Sequence, residues 1–215
     1  MRLTTALNHL PRLTTLLLAC FLLWIHIRLF PYAFDDAYIH FRVARNFLET
    51  GFPYFNAGEM VKVSTSSGWT LIVTLLLGVA RLVGVEDRFP LLISILNAII
   101  SVSGMLVFTT VMEYLLEVKA RPLANMLFQL PFLALIVPSS IGLMETPLAL
   151  LVAGLGIYCL LRSKAIGFAL LGLAVNIRLE LWLLAGLVGG VLILEKQFRF
   201  RHTVYFGMGC IPLLI

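Results

Sequence analysis

Apolar runs cut by short charged breaks recur along the whole chain, and they leave it few ways to fold. The runs cover residues 13–30, 89–112, 123–138, 147–162, 165–178, 181–194 and 203–215. A backbone surrounded by lipid satisfies its own polar groups most simply as helix, so each run reads as a membrane-spanning helix. Composition points the same way: 60% of the residues are apolar and 13% charged, with a mean hydropathy of +1.00, outside the range of soluble domains. The expected fold is all-α, a single membrane domain of about seven spanning helices.

The net charge of +5 is no argument for nucleic acid, because basic residues beside apolar runs are what membrane orientation requires. Cys20, Cys159 and Cys210 all lie in apolar stretches, which favours buried thiols over a disulfide framework or a metal cluster. Arg2 and Arg12 precede the first run, and no small-x-small cleavage site follows it. That run is therefore expected to stay as a first helix running from inside to outside, with Arg28 near its outer end. The chain stops at CIPLLI, inside an apolar run, the pattern expected of the N-terminal part of a longer protein.

Between the first two apolar segments stands DDAYIHFRVARNFLETG, Asp35 to Gly51. It places two acids, two arginines and a histidine beside a membrane segment, where ionisable groups are costly and usually functional. The acids suit the first turn of a helix over 35–50, whose expected apolar stripe is Tyr38, Phe41, Ala44 and Leu48, with Arg42, Arg45 and Glu49 on the neighbouring face. This helix is expected to lie along the membrane surface and to end at Gly51. It belongs to an outer loop over 31–67 that includes Pro53, Asn56-Ala57-Gly58 and Ser64 to Ser67. Trp69 then reads as an interfacial residue.

Whether residues 68–84 cross the bilayer decides the side of everything after them. At 1.5 Å per residue this segment reaches about 25 Å, short of the roughly 30 Å core but within tolerable mismatch. Positive charge decides the matter. If the segment does not cross, nine cations fall inside: Arg2, Arg12, Lys119, Arg121, Arg162, Lys164, Lys196, Arg199 and Arg201. Residues 31–89 then hold five cations against six acids. Crossing would send the later cations outside, against the positive-inside bias. The segment is therefore expected to be an interfacial or re-entrant helix. Glu145, Arg178 and Glu180 then share the outer side with Asp35 and Asp36, and such convergence of helix ends is how a site is assembled.

Each of these residues also has a plain structural role. Asp35 and Asp36 suit a helix cap, Glu145 a first turn before Pro147, Arg42 and Arg45 lipid headgroups, and Arg178 with Glu180 an interfacial pair. His26 and His40 have no second ligand at metal spacing and read as packing or hydrogen-bonding residues. Asn97, Asn125, Gln129 and Asn176 read as ties between helices. The common side of the charged groups raises the functional reading above the structural one.

The stretch from Asp35 to Ile72 resembles the first outer loop of bacterial GT-C membrane glycosyltransferases, especially the mycobacterial terminal arabinofuranosyltransferase type. The resemblance lies in the acidic pair, the helix through Arg42 and Arg45, the turn Asn56-Ala57-Gly58-Glu59 and the step Ser66-Ser67-Gly68-Trp69. It continues in Gly142-Leu143-Met144-Glu145-Thr146-Pro147-Leu148 and in Arg178-Leu179-Glu180. Prolines of the family pattern are absent from the turn, from the step and from this last triplet. The resemblance implies an integral enzyme of the bacterial plasma membrane with a cytoplasmic N-terminus. It would move a sugar from a polyprenyl-phosphate donor to a glycan or other cell-envelope acceptor on the outer face. It implies Asp35 as general base, Asp36 orienting the acceptor or the helix, and Glu145 binding sugar hydroxyls or assisting. Arg42, Arg45, Arg178 and Arg28 are the cations suited to a leaving lipid phosphate, with Glu180 in the substrate site. Some relatives use a divalent metal and others do not, and the residues here assign no metal ligand.

Two other classes compete. A transporter or channel needs polar groups through the depth of the membrane, whereas here the strong charges gather at one edge; an assembly subunit would make the outer carboxylates incidental. The topology predicts that Arg162 and Lys164 label from the cytoplasmic face. Labelling of this pair from the outer face would overturn the assignment of residues 68–84.

Overall fold

The computed structural model describes residues 2–29, 35–56, 66–117 and 122–211, the side chains of 2–13 and 122–124 excepted. Lys62, Lys119, Arg121 and the end of the expected 203–215 span lie outside the described residues, as does most of the Asn56 to Glu59 turn. The described chain is helical between short turns, with no strand. The helices are α1 (Arg2–Leu29), α2 (Asp35–Thr50), α3 (Ser67–Val83), α4 (Phe89–Leu115), α5 (Pro122–Ile141), α6 (Thr146–Leu161), α7 (Gly167–Ile177), α8 (Trp182–Leu194) and α9 (Phe200–Cys210).

Side-chain contacts give the helix directions. The bond from Gln129 to Thr15, 2.9 Å, and that between His26 and Ser140, 2.7 Å, set α1 parallel to α5. Asn97 donates to the Met144 carbonyl and Tyr114 to that of Leu161, so α4 runs parallel to α6. Between them α5 is antiparallel, with Asn97 beside Ser140 and Gly104 beside Phe132. The turns leading out of α5 and α7 thus lie at one end of the bundle, where α4 and α6 begin. Arg162 lies at the other end, its guanidinium 5.9 Å from the Tyr114 ring and 5.4 Å from that of Tyr158.

A buried polar chain pins three helices just inside the first end. His26 Nδ1 donates to the Leu22 carbonyl at 2.9 Å, so Nε2 accepts from the Ser140 hydroxyl, which in turn lies 2.8 Å from Ser101. Asn97 donates to the Ser140 and Met144 carbonyls. Gln129 and Asn176 likewise bridge helices, to Thr15 and to the Gly209 carbonyl. Bonds of this kind inside a membrane are worth about 0.6–2 kcal/mol each.

On that same end sit α2 and α3, packed parallel to each other. His40 bonds Thr70 at 2.8 Å near their starts, and Arg81 bonds Glu49 at 2.9 Å near their ends. The buried face of α2 is Ala37, His40, Val43 and Ala44, whereas Tyr38 and Leu48 are exposed. The expected stripe is thus turned by about one residue, because small alanines let α3 come close. Trp69, expected at the membrane interface, is wholly buried with Val73 and Leu77 against α2. Gly51 does close α2, with a left-handed φ of 78° that glycine adopts without strain.

Among the described residues one helical stretch, Glu86–Leu115 with its leading 3-10 turn, is long and apolar enough to cross a membrane, where the sequence leads one to expect about seven. Over their described side chains the other apolar helices fall short on length, although α1 and α5 run to 28 and 20 residues in backbone. At 1.5 Å per residue the 11 residues of α7 and α9 and the 13 of α8 reach only about 16–20 Å. Arg178 leaves helical geometry for an extended conformation, which breaks the apolar stretch from 167 to 194 into two short helices.

Glycine contacts set the helix spacing. A Cβ on Gly209 would lie 2.1 Å from the Ala169 carbonyl oxygen, and one on Gly167 would lie 2.4 Å from that of Gly156, while Gly189 and Gly207 have open space. Gly209→Val and Gly167→Val are each expected to cost at least about 2 kcal/mol through overpacking. Gly189→Val should change little. Thermal unfolding in detergent measures the difference.

Candidate functional site

Three separated segments build the site. The first is the opening turns of α2, whose Asp36 and His40 share a face by their spacing of four. The second is the turn into α6. Met144 N–H bonds the Ser139 carbonyl and Leu143 N–H that of Ser140, which closes α5 with a Schellman motif. Leu143 holds the left-handed position at φ 60° although it is not glycine, and its side chain is buried. A conformation of this kind costs roughly 1–2 kcal/mol, here offset by burial of the leucine in the core beneath α2 and α3. It delivers Glu145 to the start of α6, where Pro147 follows. The third segment is the break after α7, which presents Arg178 and Glu180.

The centre is a pair of buried side chains. His40 Nε2 and Glu145 Oε2 stand 3.8 Å apart, with 7% and 8% of their side chains exposed. Glu145 Oε2 has no hydrogen-bond partner. His40 Nδ1 bonds the Thr70 hydroxyl, and that hydroxyl donates to the Ser66 carbonyl at 3.0 Å. Ser66 Oγ in turn donates to the Ile177 carbonyl, which ties the start of α3 to the end of α7. Arg178 donates to the Thr146 hydroxyl and lies 3.4 Å from Glu180.

Burial dominates the electrostatics. It raises the Glu145 carboxyl above its ordinary 4.5; its own backbone N–H and Arg178 pull it down, and Glu180 and Asp36 push it up. His40 falls to about 4 through burial, against the opposing pull of Asp36. Near neutral pH, therefore, His40 is uncharged.

The structure brings Asp36, Arg178 and Glu180 within electrostatic reach of Glu145 and leaves the other candidates elsewhere. Asp35 and Asp36 are both exposed at the start of α2, and of the two it is Asp36 whose charge reaches His40 and Glu145. Arg42 lies over Phe55 at 4.4 Å and bonds Asn56, and Arg45 stands 3.8 Å from Glu86. These two arginines border a separate open groove of about 600 Å³ lined also by Phe41, Leu77, Phe89 and Pro90. Arg28 stands 6.0 Å from the Trp24 ring on α1. His40, read from sequence as a packing or hydrogen-bonding residue, bonds Thr70 and also stands 3.8 Å from Glu145. Its flanking alanines at 37 and 44 were the available signal for a close-packed face. No three His, Cys, Asp or Glu side chains form a metal-binding group among the described residues.

Comparison of the chain with protein-family models, with curated proteins and with solved structures gives no match.

The His40 shift fixes a pH dependence. Between 6.5 and about 4 the unfolded state takes up a proton that buried His40 refuses, so acidification across this window removes stability, by about 3 kcal/mol in full. Glu145 acts with the opposite sign, since its folded carboxyl keeps a proton that the unfolded one releases as pH rises above 4.5. Measured in a Glu145→Gln background by thermal unfolding, the acid loss should be present with His40 and largely absent in His40→Gln.

Proposed function

We propose that this chain is a membrane glycosyltransferase that moves a sugar from a polyprenyl-phosphate donor to a cell-envelope acceptor on the outer face of a bacterial plasma membrane. The observation that carries the reading is the meeting of Asp36, Glu145, Arg178 and Glu180, from three segments, at one end of the helical bundle. The motifs that resemble GT-C enzymes supply those same residues.

A membrane setting is supported by the 30 residues of Glu86–Leu115 and by outward faces as apolar as the core, among them Leu75, Leu82, Leu183, Leu187 and Leu194. In this reading α1 and α4 to α9 run alternately between the two bilayer faces, with local thinning around the short helices. On the outer end lie α2 and α3. Arg162, Lys164, Lys196, Arg199 and Arg201 occupy the opposite, cytoplasmic end.

In the reaction, the acceptor hydroxyl oxygen bonds to the anomeric carbon as the bond from that carbon to the phosphate oxygen breaks. The departing electron pair stays on the phosphate, and the hydroxyl proton passes to a carboxylate. We assign that base to Asp36, because its charge reaches both His40 and Glu145, whereas Asp35 points about 100° away on the helix. Arg178 holds the leaving phosphate. Glu145 and Glu180 hold sugar or acceptor hydroxyls, while Arg42, Arg45 and Arg28 attract the anionic donor at the membrane surface.

Transfer from a lipid-linked sugar by the reconstituted protein tests this. Asp36→Asn should lower the rate about 10²–10⁴-fold, as expected for loss of a general base, and Asp35→Asn by less. Arg178→Ala should slow transfer and weaken donor binding. Unchanged transfer in both aspartate variants ends the enzyme reading at this site.

A further inference from the structure

We infer that Glu145 is held as a neutral carboxylic acid, its proton on Oε2 facing His40, so that the site adds no negative charge where the sequence shows an acid. The inference deepens the reading of this site as one for oxygen-rich sugar or phosphate ligands, and its direct readout does not depend on which sugar is used.

The argument starts from one hydroxyl. Thr70 Oγ1 donates its proton to the Ser66 carbonyl, so toward His40 it accepts, and Nδ1 carries the imidazole hydrogen. In the neutral ring Nε2 then presents a lone pair, and Glu145 Oε2 lies 3.8 Å from it. An ionised Glu145 would set two lone-pair-bearing atoms against each other in a place closed to water, with Oε2 buried and otherwise unpartnered. A proton on Oε2 turns that opposition into a donor facing an acceptor. The surroundings agree. The charged groups in reach of Glu145 are Arg178 and Glu180 from the break after α7 and Asp36 from α2, two acids against one cation. That cation already faces Glu180 at 3.4 Å. A third negative charge here would be buried and unbalanced.

The chemical consequence concerns the ligand. A neutral acid does not repel a phosphate or an electron-rich sugar oxygen approaching Arg178.

Infrared difference spectroscopy on the complete protein in lipid tests the inference. A protonated-carboxyl band assigned to Glu145 by its loss in Glu145→Gln should titrate with a midpoint above the 4.5 of a free side chain. In His40→Gln, whose amide N–H can donate to a carboxylate, the midpoint should fall. This second variant also assigns the band if Glu145→Gln does not fold. A midpoint at or below 4.5, or one that His40→Gln leaves in place, overturns the inference. Transfer activity without the raised midpoint would sink the inference alone, and a raised midpoint in a protein without transfer would sink the enzyme reading alone.

Discussion

The end of the bundle where the charged groups meet depends on one buried hydroxyl. The Ser140 hydroxyl connects to His26 of α1 and to Ser101 of α4, and the Ser140 carbonyl accepts from Asn97 of α4, in the last turn of α5 before the chain reverses into α6. Apolar side chains alone would let these helices slide and rotate, since lipid and leucine offer each other similar surroundings. Directional hydrogen bonds remove that freedom. They fix the height at which α5 ends, and so the place where Leu143 turns and Glu145 begins α6.

From there the balance is between burial and charge. An acid, a histidine and the first turns of two further helices are packed together with little access to water. Burial wins over every individual charge, raising Glu145 and lowering His40, while Arg178 offsets part of it. The polar links continue outward through Thr70 and Ser66 to the end of α7. The site is thus suspended from both halves of the bundle, and its shape is set by helix ends rather than by a free loop. The second charged region, around Arg42 and Arg45, has the opposite character: its guanidinium groups are exposed and border an apolar groove.

The helical class was legible because apolar runs repeat with charged breaks, a pattern that depends on no long-range contact. The candidate residues Asp36, Glu145, Arg178 and Glu180 were legible because acids and arginines stand out among apolar neighbours. What sequence could not carry was orientation. The face of α2 turns on whether small or large side chains seek the core, and the parallel approach of α3 keeps the expected Ala44 but selects Ala37 and His40 over Tyr38 and Leu48. His40 could not be paired with Glu145 because the packing of α3, α5 and α7 brings them together, and packing is not written in a local pattern. The break from Arg178 to Glu180 was legible as well, since the charged residues there separate the apolar runs 165–178 and 181–194.

The connections of the site also carry a consequence for how the chain is made. Thr70 lies 30 residues after His40, and Ile177 lies 111 residues after the serine that binds it. Helix α2 is synthesised early, yet its acid and histidine lack their partners until the start of α6 and the end of α7 have followed. Contacts so far apart in sequence form slowly and late. Completion of this site is therefore a record of assembly, and a defect in helix packing far from any charged group would register there as an unfinished pocket.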